Sequence, residues 1–145
     1  MIISARHDFQ ITDVDRLEDN LYGHNCDATG HHDGQCLAFE VLDQQGKPLG
    51  ALAGYTWAEM AEIRQLWVDK EHRGYGWGRK LIDAAIAEAI ARGCRCIWVT
   101  THSFQAPGLY EKCGFQRAAE LSDWPPGHTK IILRRRLEVR SGPAA

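Results

Sequence analysis

The residues with the clearest capacity for chemistry are Arg73, Gly74, Tyr75, Gly76, Trp77 and Gly78, followed at once by Arg79 and Lys80. Glycines at alternate positions let a backbone approach a bulky anion closely, because no Cβ stands in the way. If a helix begins here, its first amides have no partner within the helix and point outward, where the helix dipole also favours negative charge. Arg73, Arg79 and Lys80 add positive charge at the same place. A pyrophosphate is the guest such a turn suits. A dinucleotide fingerprint fits less well, since that turn belongs in the first βαβ unit with an acid ending the next strand. Here the next strand, Cys96–Thr100, is followed by Thr101 and His102.

The elements that position this turn follow from periodicity. An apolar strand over Ala61–Val68 precedes it. Behind it Leu81, Ile82, Ala85, Ile86, Ala89 and Ile90 recur at helical spacing, and Gly93 ends the helix. Upstream, Met1–Ala5 reads as a first strand. Asp13–Tyr22 reads as a helix capped by Thr12 or Asp13, with Val14, Leu17 and Leu21 on one face, and polar Gly23–Gly34 as loop or broken helix. Cys36–Leu42 and Leu49–Trp57 read as strands joined by a hairpin turn at Asp43–Lys47. Downstream come the Cys96–Thr100 strand, a helix over Phe104–Lys112, and strands over Phe115–Leu121 and Lys130–Leu137 around a Ser122–Thr129 turn with paired prolines. The alternation predicts a single α/β domain with a mixed sheet, its last few residues a loose tail.

Composition narrows the class. A chain of 145 residues has the length of one ordinary domain, and 44% hydrophobic against 25% charged residues is the balance of a globular protein. The net charge of −2 is uneven: Asp8–Asp33 holds seven acids against the single base Arg16, whereas Lys130–Arg140 is basic. Neither end is a long like-charge block, so nucleic acid is not an expected partner. The first ten residues lack a long apolar run, which predicts neither a secretory signal nor a membrane span. Five cysteines without framework spacing suit a reducing, cytoplasmic setting. His24, Cys26, His31, His32, Asp33 and Cys36 crowd together, but at no zinc-finger or knuckle interval, so no metal is expected.

With these residues in place, the chain resembles the GNAT superfamily of N-acetyltransferases. The family signature Arg/Gln-x-x-Gly-x-Gly/Ala is matched by Arg73, Gly76 and Gly78 after the strand end Leu66-Trp67-Val68. A second pattern follows in Ala106, Leu109, Tyr110, Glu111, Lys112, Gly114 and Phe115. Two motifs in order, about thirty residues apart, are far more specific than either alone. The run His102-Ser-Phe-Gln-Ala-Pro and the turn Asp123-Trp-Pro-Pro-Gly-His128 look like a bacterial branch of small single-domain members. The resemblance implies a mixed, mostly antiparallel sheet with flanking helices, acetyl-coenzyme A as cosubstrate without a metal, and a homodimer as the default assembly.

The resemblance also implies roles. Leu66, Trp67 and Val68 would pair with the pantetheine arm, and Gly74–Arg79 (including Tyr75 and Trp77) would cradle the pyrophosphate, with Lys80 and Lys112 nearby. Ser103 stands where an asparagine commonly contacts the cofactor. Tyr110 stands where many members place the acid that protonates the departing thiolate, and a phenol is a neutral donor at pH 7. An alkylammonium must lose a proton before it attacks. Glu62 is one candidate base, expected to share a strand face with Arg64, Leu66 and Val68, although a neighbouring cation weakens a carboxylate as a base. His128 is the other, with Asp123 as its orienter. For an amine acceptor, the acids Glu18, Asp19, Asp27 and Asp33 would supply attraction if that segment lines the cleft. Asn20, His24 and Asn25 would supply hydrogen bonds, and Trp57, Trp67 and Trp124 would supply walls. A small amine leads over a protein lysine or N-terminus. The rival reading is an acetyl-coenzyme A sensor without catalysis.

Overall fold

The spacing of Leu81, Ile82, Ala85, Ile86 and Ala89 puts one face of a helix into the core, and every one of these residues is buried. In the computed structural model, which describes residues 2–138, the chain divides after His32 into two compact units. Met1 and residues 139–145, where a loose tail is expected, lie outside the described residues.

The first unit contains helix α1, Ile11–Thr29. The first strand expected over Met1–Ala5 is absent among the described residues: Ile2 and Ile3 are exposed and enter no ladder. β-branched residues favour a strand only where a neighbouring strand offers its hydrogen bonds. α1 also starts earlier and ends later than expected. Gln10 is the N-cap in a reciprocal capping box with Asp13, and the helix runs through Gly23 to a left-handed Gly30. One glycine inside a helix costs only about 1 kcal/mol, too little to break it.

In the second unit the described residues form six strands: β1 Gln35–Leu42, β2 Pro48–Trp57, β3 Met60–Val68, β4 Cys96–His102, β5 Gln116–Ser122 and β6 Thr129–Arg136. Their order is β1-β2-β3-β4-β6-β5, antiparallel throughout except for the parallel pair β3–β4. This is the mixed, mostly antiparallel sheet that the family resemblance implies. Asp43 Oδ1 accepts the N–H of Gln45 and of Lys47, which fixes the β1–β2 turn. Helix α2, Trp77–Ala91, packs on β1, β2 and β3. Near its end Arg92 donates to the Cys36 carbonyl and to Thr56 Oγ1, tying the helix to both strands. Helix α3, Pro107–Lys112, is shorter than the expected Phe104–Lys112. Proline disfavours the helical region for the residue before it, and Ala106 accordingly sits at φ −133°.

Two features of β3 set up everything that follows. The β3–β4 ladder pairs only Met60–Ile63 with Cys96–Val99. Just past its end, the β2–β3 register shifts: Ile63 opposes Gly54 and Gln65 opposes Ala53, leaving Arg64 as the extra residue of a β-bulge. The bulge corrects an expectation. Glu62 does not share a face with Leu66 and Val68, because one inserted residue reverses the alternation. Ala61 and Ile63 are in the core, and beyond the bulge it is Leu66 and Val68 that pack against it.

Gly54 allows the bulge, since a Cβ there would run into the Glu62 carbonyl oxygen. We predict that Gly54→Ala destabilises the fold by about 1–3 kcal/mol, read as a drop of several degrees in thermal unfolding.

Candidate active site

Beyond Ile63, β3 keeps β2 on one side and loses β4 on the other, and the two strands separate. The gap is a cleft of about 740 Å³. One wall is Arg64–Val68. The other comes from Val99 and Thr100 of β4, from Phe104, Gln105 and Ala106 after it, and from Leu109 and Tyr110 of α3. Along Arg64–Val68 the backbone therefore presents an edge that no neighbouring strand covers, among the described residues. Arg73 Nε donates to the Val68 carbonyl at 3.0 Å.

A second cleft of about 400 Å³ lies beside the first, formed by His72, Arg73, Gly74, Gly76, Trp77, Gly78, Arg79 and Lys112. Gly74 and Gly76 take φ of +82° and +83°, the left-handed region that glycine enters without a Cβ penalty. Gly76 is the N-cap of α2, and the first helical bond is Lys80 N–H to its carbonyl. The amides of Trp77, Gly78 and Arg79 thus have no acceptor within the helix. Gly78 is tight for another reason: a Cβ there would stand 3.1 Å from Leu109 Cδ2. The loop before it is pinned by Asp69, whose Oδ1 meets His72 Nδ1 at 3.1 Å and accepts the Glu71 N–H. The His72 contact is the main reason its carboxyl is held below the usual range.

The residues singled out from the sequence divide accordingly. Leu66, Trp67, Val68, Arg73 and Gly78 line the larger cleft with Tyr110, and Gly74, Gly76, Trp77, Arg79 and Lys112 line the smaller. Tyr75 is exposed, and Lys80 lays its ammonium 4.2 Å over the Trp77 ring. Ser103 is engaged elsewhere: its hydroxyl accepts the Thr129 N–H and its own N–H reaches the Thr129 carbonyl, closing β4 onto β6. Glu62 lies outside both cleft walls and pairs with Arg64 at 3.3 Å. Trp57 stands at the tip of the β2–β3 hairpin, at the end of β3 away from the cleft. Asn20, His24 and Asn25 are on α1 of the first unit.

The Asp123 carboxylate accepts the Gly127 N–H across the turn and makes no hydrogen bond to His128 among the described residues. His128 instead sets its ring edge-on to Phe104, 4.9 Å away. Trp124 is exposed, with Lys130 Nζ 5.8 Å from its ring. Sequence reasoning missed Phe104, Gln105, Leu109 and Thr100 as cleft residues. The signal for Phe104 and Gln105 is the run from His102 to Pro107, a branch signature that by itself assigns these residues no role. Among the described residues no three His, Cys, Asp or Glu side chains gather to hold a metal.

Tyr110 is buried at the base of the larger cleft, its ring edge-on to Phe115. Burial, assisted by the nearby Cys113, pushes its phenol up to about 12, so the group stays protonated throughout the physiological range. It is a neutral donor in the cleft that adjoins the start of α2.

The sequence matches the acetyltransferase (GNAT) family over residues 3–115, and the chain belongs to that family of acyltransferases. It is 41% identical over 106 residues to the blasticidin-S acetyltransferase of Streptomyces morookaense, covering 71% of this chain and 76% of that one. The fold superposes on the crystal structure of an acetyltransferase from Agrobacterium tumefaciens with a TM-score of 0.85, at 25% identity, over 94% of this chain and 100% of the other. A Bacillus anthracis protein solved in complex with acetyl coenzyme A shares the fold at a TM-score of 0.62 and 23% identity, over 71% and 63% of the two chains. Enzymes of this family draw the acetyl group from acetyl-coenzyme A. No helix among the described residues is long and apolar enough to cross a membrane.

The raised Tyr110 pKa carries a linkage. The folded state holds the phenolic proton more tightly than the unfolded chain, whose value is near 10. This contribution to stability is complete below pH 10 and is lost as the pH rises toward 12. We predict that, between pH 10 and 12, the native chain loses more stability in denaturant unfolding than Tyr110→Phe does.

Proposed function

We propose that this protein is an N-acetyltransferase that moves the acetyl group of acetyl-coenzyme A to the primary amine of a small molecule by direct attack. The observation that carries this reading is the continuity of the two clefts. Val68, Arg73, Gly78 and Leu109 line both, so the anion-binding loop opens onto the space where Tyr110 waits.

The residues fit the cosubstrate. The amides at the start of α2, with Arg73, Arg79 and Lys112, suit a pyrophosphate. The uncovered edge of Leu66–Val68 suits an arm that carries amide groups, bound as an added strand. Acetyl-coenzyme A supplies an activated thioester. Tyr110 holds a proton that can neutralise the departing sulfur, and burial keeps the phenol protonated in the resting site. For the amine's proton we favour His128 over Glu62. Glu62 lies outside both cleft walls and its carboxylate is paired with Arg64, whereas His128 touches the cleft residue Phe104. Acetylation of a small molecule is supported by the 41% identical relative, which is named for an antibiotic acceptor. The five free cysteines agree with a cytoplasmic site of action.

The test is thiol release from acetyl-coenzyme A in the presence of a panel of small amines. We expect amine-dependent release, with kcat lowered about 10²-fold or more in Tyr110→Phe. His128→Gln should slow the reaction more than Glu62→Gln does. Gly76→Ala, which forces a Cβ into a left-handed backbone at a cost of about 1–2 kcal/mol, should raise KM for acetyl-coenzyme A more than it lowers kcat. Coenzyme A binding without any amine-dependent release would instead favour the sensor.

A further inference from the structure

One side chain in the larger cleft makes more hydrogen bonds than any role assigned so far accounts for. Gln105 Oε1 lies 2.9 Å from the His102 backbone nitrogen, 3.0 Å from Thr101 Oγ1 and 3.1 Å from His102 Nδ1. A backbone N–H can only donate, so the atom it meets is an acceptor, which fixes the amide with its oxygen toward β4. The same oxygen faces His102 Nδ1, and two acceptors do not bond to each other. His102 Nδ1 therefore carries a hydrogen, and in the neutral ring Nε2 holds the lone pair. Thr101 is buried, so this oxygen also satisfies a hydroxyl that has left water.

The consequence reaches the cleft through ring contacts. His102 stacks on Phe104 with centroids 5.1 Å apart and an interplanar angle of 18°, and His128 meets the same Phe104 ring edge-on at 4.9 Å. Phe104 is a wall of the cleft, three residues before α3, the helix that carries Tyr110. Gln105 N–H also donates to the His102 carbonyl at 2.9 Å, closing the corner between β4 and α3 from the backbone side.

We propose that Gln105 is a positioning residue. Its single amide oxygen locks the β4–α3 corner, holds His102 as the Nδ1–H tautomer, and so sets Phe104 and the His128 ring against it where the amine must bind. The role in the reaction rests on the transferase reading above, whereas the tautomer does not. Misplacing reacting groups by about 1 Å can cost up to about 10²-fold in rate, so a wall residue fixed through one oxygen has measurable leverage.

The experiment compares the native chain with Gln105→Leu, which keeps the bulk and removes the acceptor, and with Gln105→Glu, whose carboxylate can accept from all three donors. Nitrogen NMR of the His102 ring reads the tautomer, and thiol release reads the reaction. The proposal expects Nδ1–H in the native chain and loss of that preference in Gln105→Leu. It expects kcat/KM for the amine to fall about tenfold or more in Gln105→Leu, with KM for acetyl-coenzyme A changed by less than about twofold. Both properties should return in Gln105→Glu to within about threefold of native. An Nε2–H tautomer in the native chain, native kinetics in Gln105→Leu, or a Gln105→Glu that fails to recover would overturn it. If no amine speeds thiol release even in the native chain, the transferase reading fails and the positioning role falls with it. The tautomer assignment is then still decided by NMR alone.

Discussion

The separation of β3 from β4 after Ile63 and Val99 is the constraint on which the rest of this structure depends. A sheet interior normally pairs every backbone group, because an amide removed from water without a partner costs free energy. Here the pairing stops in the middle of the sheet, between its third and fourth strands. What keeps the strands apart is local. The Arg64 bulge bends β3, glycine at position 54 allows it, and the corner after β4 fills the opening with Phe104, Gln105 and Ala106. The parting of the two strands is thus built into the backbone, and side chains of the β4–α3 corner complete the wall.

Electrostatics then gives the cleft a direction. One end opens on the start of α2, where left-handed glycines aim free amides outward and Arg73, Arg79 and Lys112 concentrate positive charge. At its base, burial keeps Tyr110 neutral. In the proposed reaction this loop would hold the polyanionic cosubstrate beside a phenol that keeps its proton, as the departure of a thiolate requires. The core supports both ends, since Leu109 of α3 packs close on Gly78 of α2 and links the loop to the helix bearing Tyr110.

Much of this was legible in the residues alone. The alternating glycines, the periodic run from Leu81 to Ile90 and the Tyr110 motif are short-range patterns, and the structure places them as expected. Two features invisible in the sequence share a physical origin in nonlocal structure. Glu62 was assigned to the face of Leu66 because alternation was carried through a bulge whose cause, Gly54, lies on another strand. Ser103, expected to face the cofactor, has a structural task that its neighbours in sequence do not reveal, since its hydroxyl accepts from Thr129, far along the chain. The strand expected at Met1–Ala5 and the early end expected for the first helix show the converse: propensity proposes, but ladder partners and caps decide. Gln105 escaped notice because a glutamine has no distinctive spacing. Its importance appears only when three donors are seen to converge on one oxygen.

The central claim is that the uncovered β3 edge and the start of α2 together form the coenzyme A site. Amide hydrogen exchange with and without coenzyme A tests it most directly. The account predicts slowed exchange confined to the amides of β3 beyond the bulge, at Leu66–Val68, and to those of Gly74–Arg79. Protection elsewhere with these amides unchanged, or no protection at saturating coenzyme A, would contradict it.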